Sequence, residues 1–503
     1  MISASGDGLN IVMAASEAVP YAKTGGLADV VGALAIELTK LGHHVTLVMP
    51  DYRGRAIGES RQLAMRLSIP VDGEPVDVTV DEANVSVAGA SHRLKVLFVR
   101  YDPFFDRPGL YQLDHHDYPD NLERFILFCR AVLEIVCGLI VARGEKVDVL
   151  HLHDWQAALC AVYLKALPHE YKGLDQLKVL LTLHNMGYQG IFPGQQFVKT
   201  GLPPSLFSPS GIEFYGSINC LKGGIIFSDV VSTVSPTYAK EIMTAEYGCG
   251  LEGVLASRAD GVKGIINGID VALWNPENDP YLPAQYTVDD LSGKQVCKRA
   301  LQRELGLPNR DVPLLAAIGR LTFQKGFDLL IDVIPELMSL DLQIVVLGTG
   351  DYHLEQQFIA VKSRYPEQIG LCLGFNEGMA HRIEAGSDML IMPSRYEPCG
   401  LSQLYSLRYG TIPIVRRTGG LADTVIPFRP STVKAECATG FHFIDASTDS
   451  LLSALLLSLH VYKERQTWQS LIHTGMKVDL SWDRSAKLYV GLYRALQRGR
   501  KEN

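Results

Sequence analysis

The 503-residue sequence has no Cys-x-x-Cys pair, no Asp-x-Asp pair, no excess of basic residues and no long uncharged apolar run. Each absence excludes a class. Nine cysteines, odd in number and scattered, suggest neither a disulfide framework nor a zinc knuckle and fit a reducing cytosol. Lys and Arg total 47 against 55 Asp and Glu, a net charge of −8, so a nucleic-acid backbone is excluded as the main partner and any phosphate must be met by a few placed cations. The most membrane-like stretch, 125–143, carries Arg130 and Glu134 in its middle and is expected to be a buried helix. Residues 1–10 are polar and lack the basic start and apolar stretch of a secretory signal, so the protein is expected to stay in the cytoplasm. Without an Asp-x-Asp pair, the nearest metal-like cluster is His151-x-His153-Asp154. Its two histidines are expected on opposite sides of a strand, a poor chelate, and no metal is expected.

Hydrophobic residues make up 47% of the chain, enough for two cores, and 503 residues exceed what one core usually holds. The expectation is an α/β protein of two doubly wound domains with a cleft between them. Strands are expected at 9–15, 45–49, 147–152, 179–183 and 230–233, with a turn-rich loop at 16–26 and a helix at 27–41. The segment 264–270 leads into 274–290, which is rich in Pro, Asp and Asn and is expected to be the interdomain hinge. A second alternating set follows, with strands at 314–318, 343–347, 369–373, 389–392 and 412–415 and helices at 327–340, 353–365 and 400–409. The domains are drawn at 1–265 and 266–480, with a terminal helical segment at 481–503.

One heptapeptide recurs, as Lys23-Thr-Gly-Gly-Leu-Ala-Asp29 and Arg417-Thr-Gly-Gly-Leu-Ala-Asp423. Both copies follow an expected strand and open toward a helix. A cation, a Thr (Thr24, Thr418) and two glycines (Gly25 and Gly26, Gly419 and Gly420) suit an anion site, because glycine lets backbone N–H groups approach phosphate oxygens. The alternative is a pair of tight strand-to-helix turns. Arg320 and Lys325, in Gly319-Arg-Leu-Thr-Phe-Gln-Lys-Gly326, lie at a strand end before a helix, where cations can meet charge developing on a leaving group. Asp154 falls just past the strand 147–152, His184 past 179–183, and Glu397, followed by Pro398, past 389–392. A helix N-cap for Asp154 and a core position for His184 are the bland readings.

Taken in order, K-T-G-G-L-A-D (23–29), H-D-W (153–155), L-H-N (183–185), G-R-L-x-x-Q-K-G (319–326) and P-S-R-Y-E-P-C-G-L (393–401) resemble the bacterial glycogen and plant starch synthases, over almost the whole chain. The resemblance implies the glycosyltransferase-B architecture, two Rossmann-like domains facing a deep cleft. The first is then the acceptor-side starch synthase catalytic domain, the second the donor-side group 1 glycosyltransferase domain, and the terminal helix crosses back to the first. It implies transfer of glucose, with retained configuration, from ADP-glucose to the non-reducing end of an α-1,4-glucan, with no cofactor. ADP-glucose or ADP and glycogen or a malto-oligosaccharide are the implied partners, without nucleic acid or membrane; oligomeric state is left open. Asp154, His184, Arg320, Lys325 and Glu397 are the implied catalytic group, with the main-chain carbonyl of His184 facing the donor sugar. Lys23, Gly25, Gly26, Asp29, Asn267, Arg320, Lys325, Phe375, Glu397, Cys399, Gly400, Leu401, Thr418, Gly419 and Gly420 are the implied donor site. Phe375 matches an aromatic near the adenine but could equally be core, and Cys399 is read first as packing. The wider superfamily often has a second glutamate where this chain has Tyr405.

Four other readings are weighed: the same reaction with UDP-glucose, an inactive glucan- or nucleotide-sugar-binding protein, a pyridoxal-phosphate phosphorylase, for which the chain is short, and a dinucleotide oxidoreductase. A dinucleotide oxidoreductase has only Gly348-Thr-Gly-Asp-Tyr-His353, whose third glycine is replaced by His353.

Overall fold

The computed structural model describes residues 8–53, 61–114, 116–142 and 144–498. Residues 1–7 of the polar N-terminal stretch therefore lie outside the described residues, as does Arg143 at the end of the apolar stretch. The chain forms two compact units. One comprises Met1–Val234, Ala239–Ile265 and Trp482–Asn503, the other Ser235–Tyr238 and Ile266–Ser481.

The first unit is built on a nine-stranded sheet. Asn10–Ala14 lies at its middle, parallel to both His44–Pro50 and Val149–His153, and the parallel order continues through Lys178–Leu183, Val230–Thr233 and Val262–Gly264. Burial on both faces explains the near-continuous apolar runs of these strands. On the other side, Arg93–Arg100 runs parallel to His44–Pro50, and Glu74–Ser86 and Gln62–Val71 add antiparallel strands. This extension lacks a continuous apolar run, and its periodic signal is alternation, as of Val76, Val78 and Val80 with polar residues. A local signal was present: Asp72-Gly73, both at positive φ, closes the hairpin between Val71 and Glu74.

The apolar stretch at 125–143 is a buried helix, Asn121–Cys137, continued by a π-helical turn, Gly138–Ala142. Its two arginines are paired inside the unit. Arg130 pairs with Glu170 at 2.9 Å and lies over the Tyr163 ring, and the fully buried Arg124 donates to the carbonyls of Phe104 and Leu110. Among the described residues no helix is long and apolar enough to cross a membrane.

The second unit is a six-stranded parallel sheet in the order Ile369–Leu373, Gln343–Gly348, Leu314–Ile318, Met389–Met392, Ile412–Arg416, Phe441–Phe443. Helices Phe327–Leu337, Tyr352–Arg364 and Ser402–Arg408 start and stop near the expected points. The reading of 274–290 as a hinge needs correction. Trp274 is sandwiched between His381 and Tyr405 with ring centroids 3.7 Å from each, and Asp279 accepts from Tyr409 Oη at 2.5 Å and bonds His381 Nδ1 at 2.7 Å. The Pro, Asp and Asn residues that mimicked a linker belong to a loop built into the second core, and the nearest passage of the chain between units falls between Ile265 and Ile266.

Candidate active site

Ligand sites on open parallel sheets gather beyond the carboxyl ends of the strands, where loops diverge and helix N-termini converge. In each unit the residues singled out from the sequence lie on those loops.

In the first unit, the loop after Asn10–Ala14 is organised by an acid that belongs to no recognisable motif. Glu17 is buried, and its carboxylate accepts from Thr24 Oγ1 and Tyr111 Oη, both at 2.7 Å, and from the Thr24 N–H. That grip fixes the turn leading into helix Gly26–Lys40, whose N-cap is Gly25. A Cβ placed on Gly25 would meet nothing within 4 Å, so this face of the loop is open. Lys23 Nζ reaches back to Asp29 Oδ1 at 2.7 Å and stays partly exposed.

Asp154 is the first residue of helix Asp154–Ala166 and adopts φ 55°, a left-handed conformation uncommon for a residue with a side chain. Its carboxylate does not cap its own helix. Oδ1 instead accepts the main-chain N–H of His184 at 2.7 Å, and the Asn185 N–H also bonds it. Burial pushes the Asp154 carboxyl up to about 7, against those two N–H donors and helped by the nearby Glu17 charge.

The expectation that His151 and His153 face opposite sides of their strand is wrong. Residues two apart on a strand share a face, and their rings lie 4.1 Å apart. They still do not form a chelate. His151 Nδ1 bonds Tyr493 Oη at 2.8 Å, its Nε2 bonds Thr182 Oγ1 at 2.7 Å, and His153 Nδ1 bonds His184 Nε2 at 3.0 Å. Burial lowers the pKa of His151 and of His184 to about 3 and that of His153 well below the usual range, so all three rings are neutral at physiological pH. His184 is buried but belongs to this polar ladder and not to an apolar core.

In the second unit, Lys325 Nζ lies 2.6 Å from Glu397 Oε2. Glu397 is buried, its same oxygen accepts from Ser394 Oγ at 3.0 Å, and Lys325 remains partly exposed. Arg320, just past Leu314–Ile318, is exposed. The loop carrying Lys325 is braced by Arg395, which forks onto Asp328 at 2.7 and 2.6 Å and covers the Phe323 ring at 3.5 Å. Ser394 and Arg395 are supporting residues whose roles no spacing rule announces. Phe375 is not core, for its ring is 82% exposed.

The second copy of the repeated heptapeptide differs physically from the first. A Cβ on Gly419 would lie 2.0 Å from the Glu397 carbonyl oxygen, and one on Gly420 would lie 2.1 Å from that of Cys399. The Gly420 N–H is already given to Glu397 O at 3.0 Å. Its glycines therefore lock two loops together, while Thr418 serves as N-cap residue of the short helix Gly419–Thr424. Asp423 also departs from Asp29. It accepts from Ser235 Oγ and Thr237 Oγ1 at 2.6 Å each and from Thr237 N at 2.9 Å, holding the start of helix Pro236–Glu241.

Cys399 is buried and hydrogen-bonded to Asn267, and burial pushes its thiol up to about 12, which makes it a packing residue and not a thiolate. Gly400, at φ 74°, turns the chain into Leu401, the N-cap residue of helix Ser402–Arg408. Tyr405, on that helix, stacks on Trp274. The near-dinucleotide motif is closed by the backbone of Leu321, whose carbonyl accepts the Asp351 N–H at 2.8 Å, and Asp351 caps helix Tyr352–Arg364. Among the described residues no group of three or more His, Cys, Asp or Glu side chains is placed to hold a metal ion.

Comparison with known proteins gives these loops a context. The family model for the starch synthase catalytic domain matches residues 10–257, and that for group 1 glycosyl transferases matches 298–470. The glycogen synthase of Koribacter versatilis (strain Ellin345) is 43% identical over 489 residues, covering 96% of this chain and 98% of its own. That of Anaeromyxobacter sp. (strain Fw109-5) is 44% identical over 490 residues, covering 97% and 99%. Among solved structures, the catalytic domain of starch synthase IV from Arabidopsis thaliana, bound to ADP and acarbose, superposes with a TM-score of 0.88 at 35% identity, covering 98% of this chain and 100% of that one. A sucrose-phosphate synthase from Thermosynechococcus elongatus shares the fold at a TM-score of 0.60 and 16% identity. With near-complete coverage, high identity and both family models in register with the two sheets, the chain belongs to the glycogen and starch synthase family of glucosyltransferases, with the glycosyltransferase-B fold.

Proposed function

We propose that this chain lengthens an α-1,4-glucan such as glycogen by moving glucose from ADP-glucose to the non-reducing end, with retention at C1 and without a metal or cofactor. The observation that carries the reading is the Lys325–Glu397 pair at 2.6 Å, a partly exposed cation and a buried carboxylate beyond the carboxyl ends of adjacent parallel strands. A departing nucleoside diphosphate develops charge on its phosphate oxygens, and placed cations stabilise it most where water is excluded. Lys325 and Arg320 have that role, and the family resemblance is the ground for reading Lys23 as a further cation. Glu397 holds donor-sugar hydroxyls and offsets positive charge on the ring as the C1–O bond to phosphate breaks.

On the acceptor side, Asp154 fixes the backbone at His184 so that the His184 carbonyl can face C1. The new bond forms between C1 and an acceptor hydroxyl on the face the phosphate leaves, and the departing phosphate oxygen takes that hydroxyl's proton. No enzyme carboxylate has to act as nucleophile. Asn267, Phe375, Cys399, Gly400, Leu401 and Thr418 to Gly420 shape the donor pocket, Phe375 offering an exposed ring for the adenine. Nine unpaired cysteines support a cytoplasmic setting.

The test is incubation with glycogen and radiolabelled ADP-glucose or UDP-glucose in the presence of EDTA. Label entering polymer from ADP-glucose is expected. Incorporation that stops under EDTA and returns with manganese, or that proceeds only from UDP-glucose, overturns the corresponding part of the reading.

A further inference from the structure

The terminal helix Trp482–Arg498 buries Trp482, Ala486, Tyr489, Val490 and Tyr493 along one face at helical spacing. Packing alone accounts for most of that face, but it does not account for the polar end of Tyr493. The Tyr493 hydroxyl bonds His151 Nδ1 at 2.8 Å, while Thr182 Oγ1 takes His151 Nε2 at 2.7 Å and continues to Ser232 Oγ at 2.7 Å. Both nitrogens of His151 are therefore held, one by a residue 342 positions away in sequence.

His153 is held less firmly. Its Nδ1 bonds His184 Nε2, its buried Nε2 finds no hydrogen-bond partner among the described residues, and its ring lies against His151. The bond to His184 sets the tautomer of His153, and packing against His151 holds the orientation of its ring. Fixing His151 fixes His153, which presents one defined nitrogen to His184.

We propose that Tyr493 is a positioning residue for glucosyl transfer: through His151 and His153 the terminal helix sets the ring orientation of His184 and thereby the placement of its main-chain carbonyl. The inference rests on the reading of His184 as part of the reacting centre. The terminal helix then contributes to turnover and not only to stability. The alternative is that Tyr493 merely anchors the helix, in which case loss of its hydroxyl alters unfolding and nothing else.

The two are separated with Tyr493→Phe in the full-length chain, which keeps the ring and removes the hydroxyl. Three readouts are needed: thermal unfolding, steady-state kinetics with ADP-glucose and glycogen, and two-bond 1H–15N histidine spectra, which report tautomers directly. The expected result is a fall in kcat of about tenfold, the scale seen when an outer hydrogen-bond partner of a functional histidine is lost, with both KM values within about twofold. The signals of His153 and His184 are expected to move along with those of His151. Thr182→Val, which releases His151 from the other side with little change in shape, is expected to give the same pattern and serves if Tyr493→Phe does not fold. Unmoved His184 signals overturn the proposal, as does wild-type kcat in the folded variants. A wild-type protein that transfers no glucose defeats the functional reading instead, and the spectra still report whether the ladder is coupled.

Discussion

Asp154 Oδ1 accepts the backbone N–H of His184 at 2.7 Å, so the ends of two adjacent parallel strands are tied by a carboxylate in place of a tight turn. The left-handed backbone at Asp154 aims its side chain away from its own helix and toward the next strand. Backbone conformation, buried charge and the position of the His184 carbonyl are thereby linked.

That link makes activity and stability depend on pH in a defined sense. The folded carboxyl titrates at about 7, raised by burial, whereas an unfolded aspartate titrates at about 4. Between those values the native state holds the extra proton, so Asp154 costs stability as pH rises, by about 1.4 kcal/mol for each unit crossed, and nothing further above 7. Asp154→Asn, whose side chain tolerates the left-handed conformation, is expected to remove a kcat limb centred near 7 and to flatten this slope. Comparing urea midpoints of the two proteins from pH 5 to 8 isolates the residue. An unchanged limb in the variant disproves the assignment.

Lys325→Ala is expected to lower kcat by roughly 10²–10³-fold, the scale for removing one preorganised group facing transition-state charge. Glu397→Ala is expected to do the same. Each should cost folding less than it costs turnover, because Lys325 is partly exposed and, among the described residues, the Glu397 carboxylate is met by Lys325 and Ser394. Single-turnover rates set beside melting curves decide it: near-wild-type turnover in both variants removes the mechanism.

Alanine at the two heptapeptides is expected to behave oppositely. At Gly419, the counterpart of Gly25, the added Cβ would sit 2.0 Å from Glu397 O, so Gly419→Ala should lower the melting temperature and raise the donor KM together. At Gly25 the same methyl meets nothing within 4 Å, so the melting temperature should hold and any change in KM reports on a bound ligand. Equal destabilisation of both variants contradicts the distinction.

Much of the fold was legible because fully buried parallel strands leave apolar runs that few other structures produce. The antiparallel strands Gln62–Val71 and Glu74–Ser86 lack such a run, since an edge ribbon buries only part of its surface, and were legible only through alternation such as that of Val76, Val78 and Val80. Trp274 and Asp279 were misread for a related reason: Pro, Asp and Asn mark a loop but do not say whether it is packed. His151 and His153 were legible as a pair, and strand alternation, applied correctly, puts them on one face.

What the sequence determined by itself was the set of chemical groups, their order along the chain and their attachment to strand ends, because hydrophobic periodicity and glycine placement are local properties. It did not determine which groups share hydrogen bonds. The repeated heptapeptide reads the same twice, yet Asp29 pairs with Lys23 while Asp423 holds Ser235 and Thr237. Glu17 looks like any acid in a loop until Tyr111 and Thr24 close on it, and Tyr493 looks like helix packing until it meets His151. Those pairings join residues far apart in sequence, and only the folded chain brings them within bonding distance.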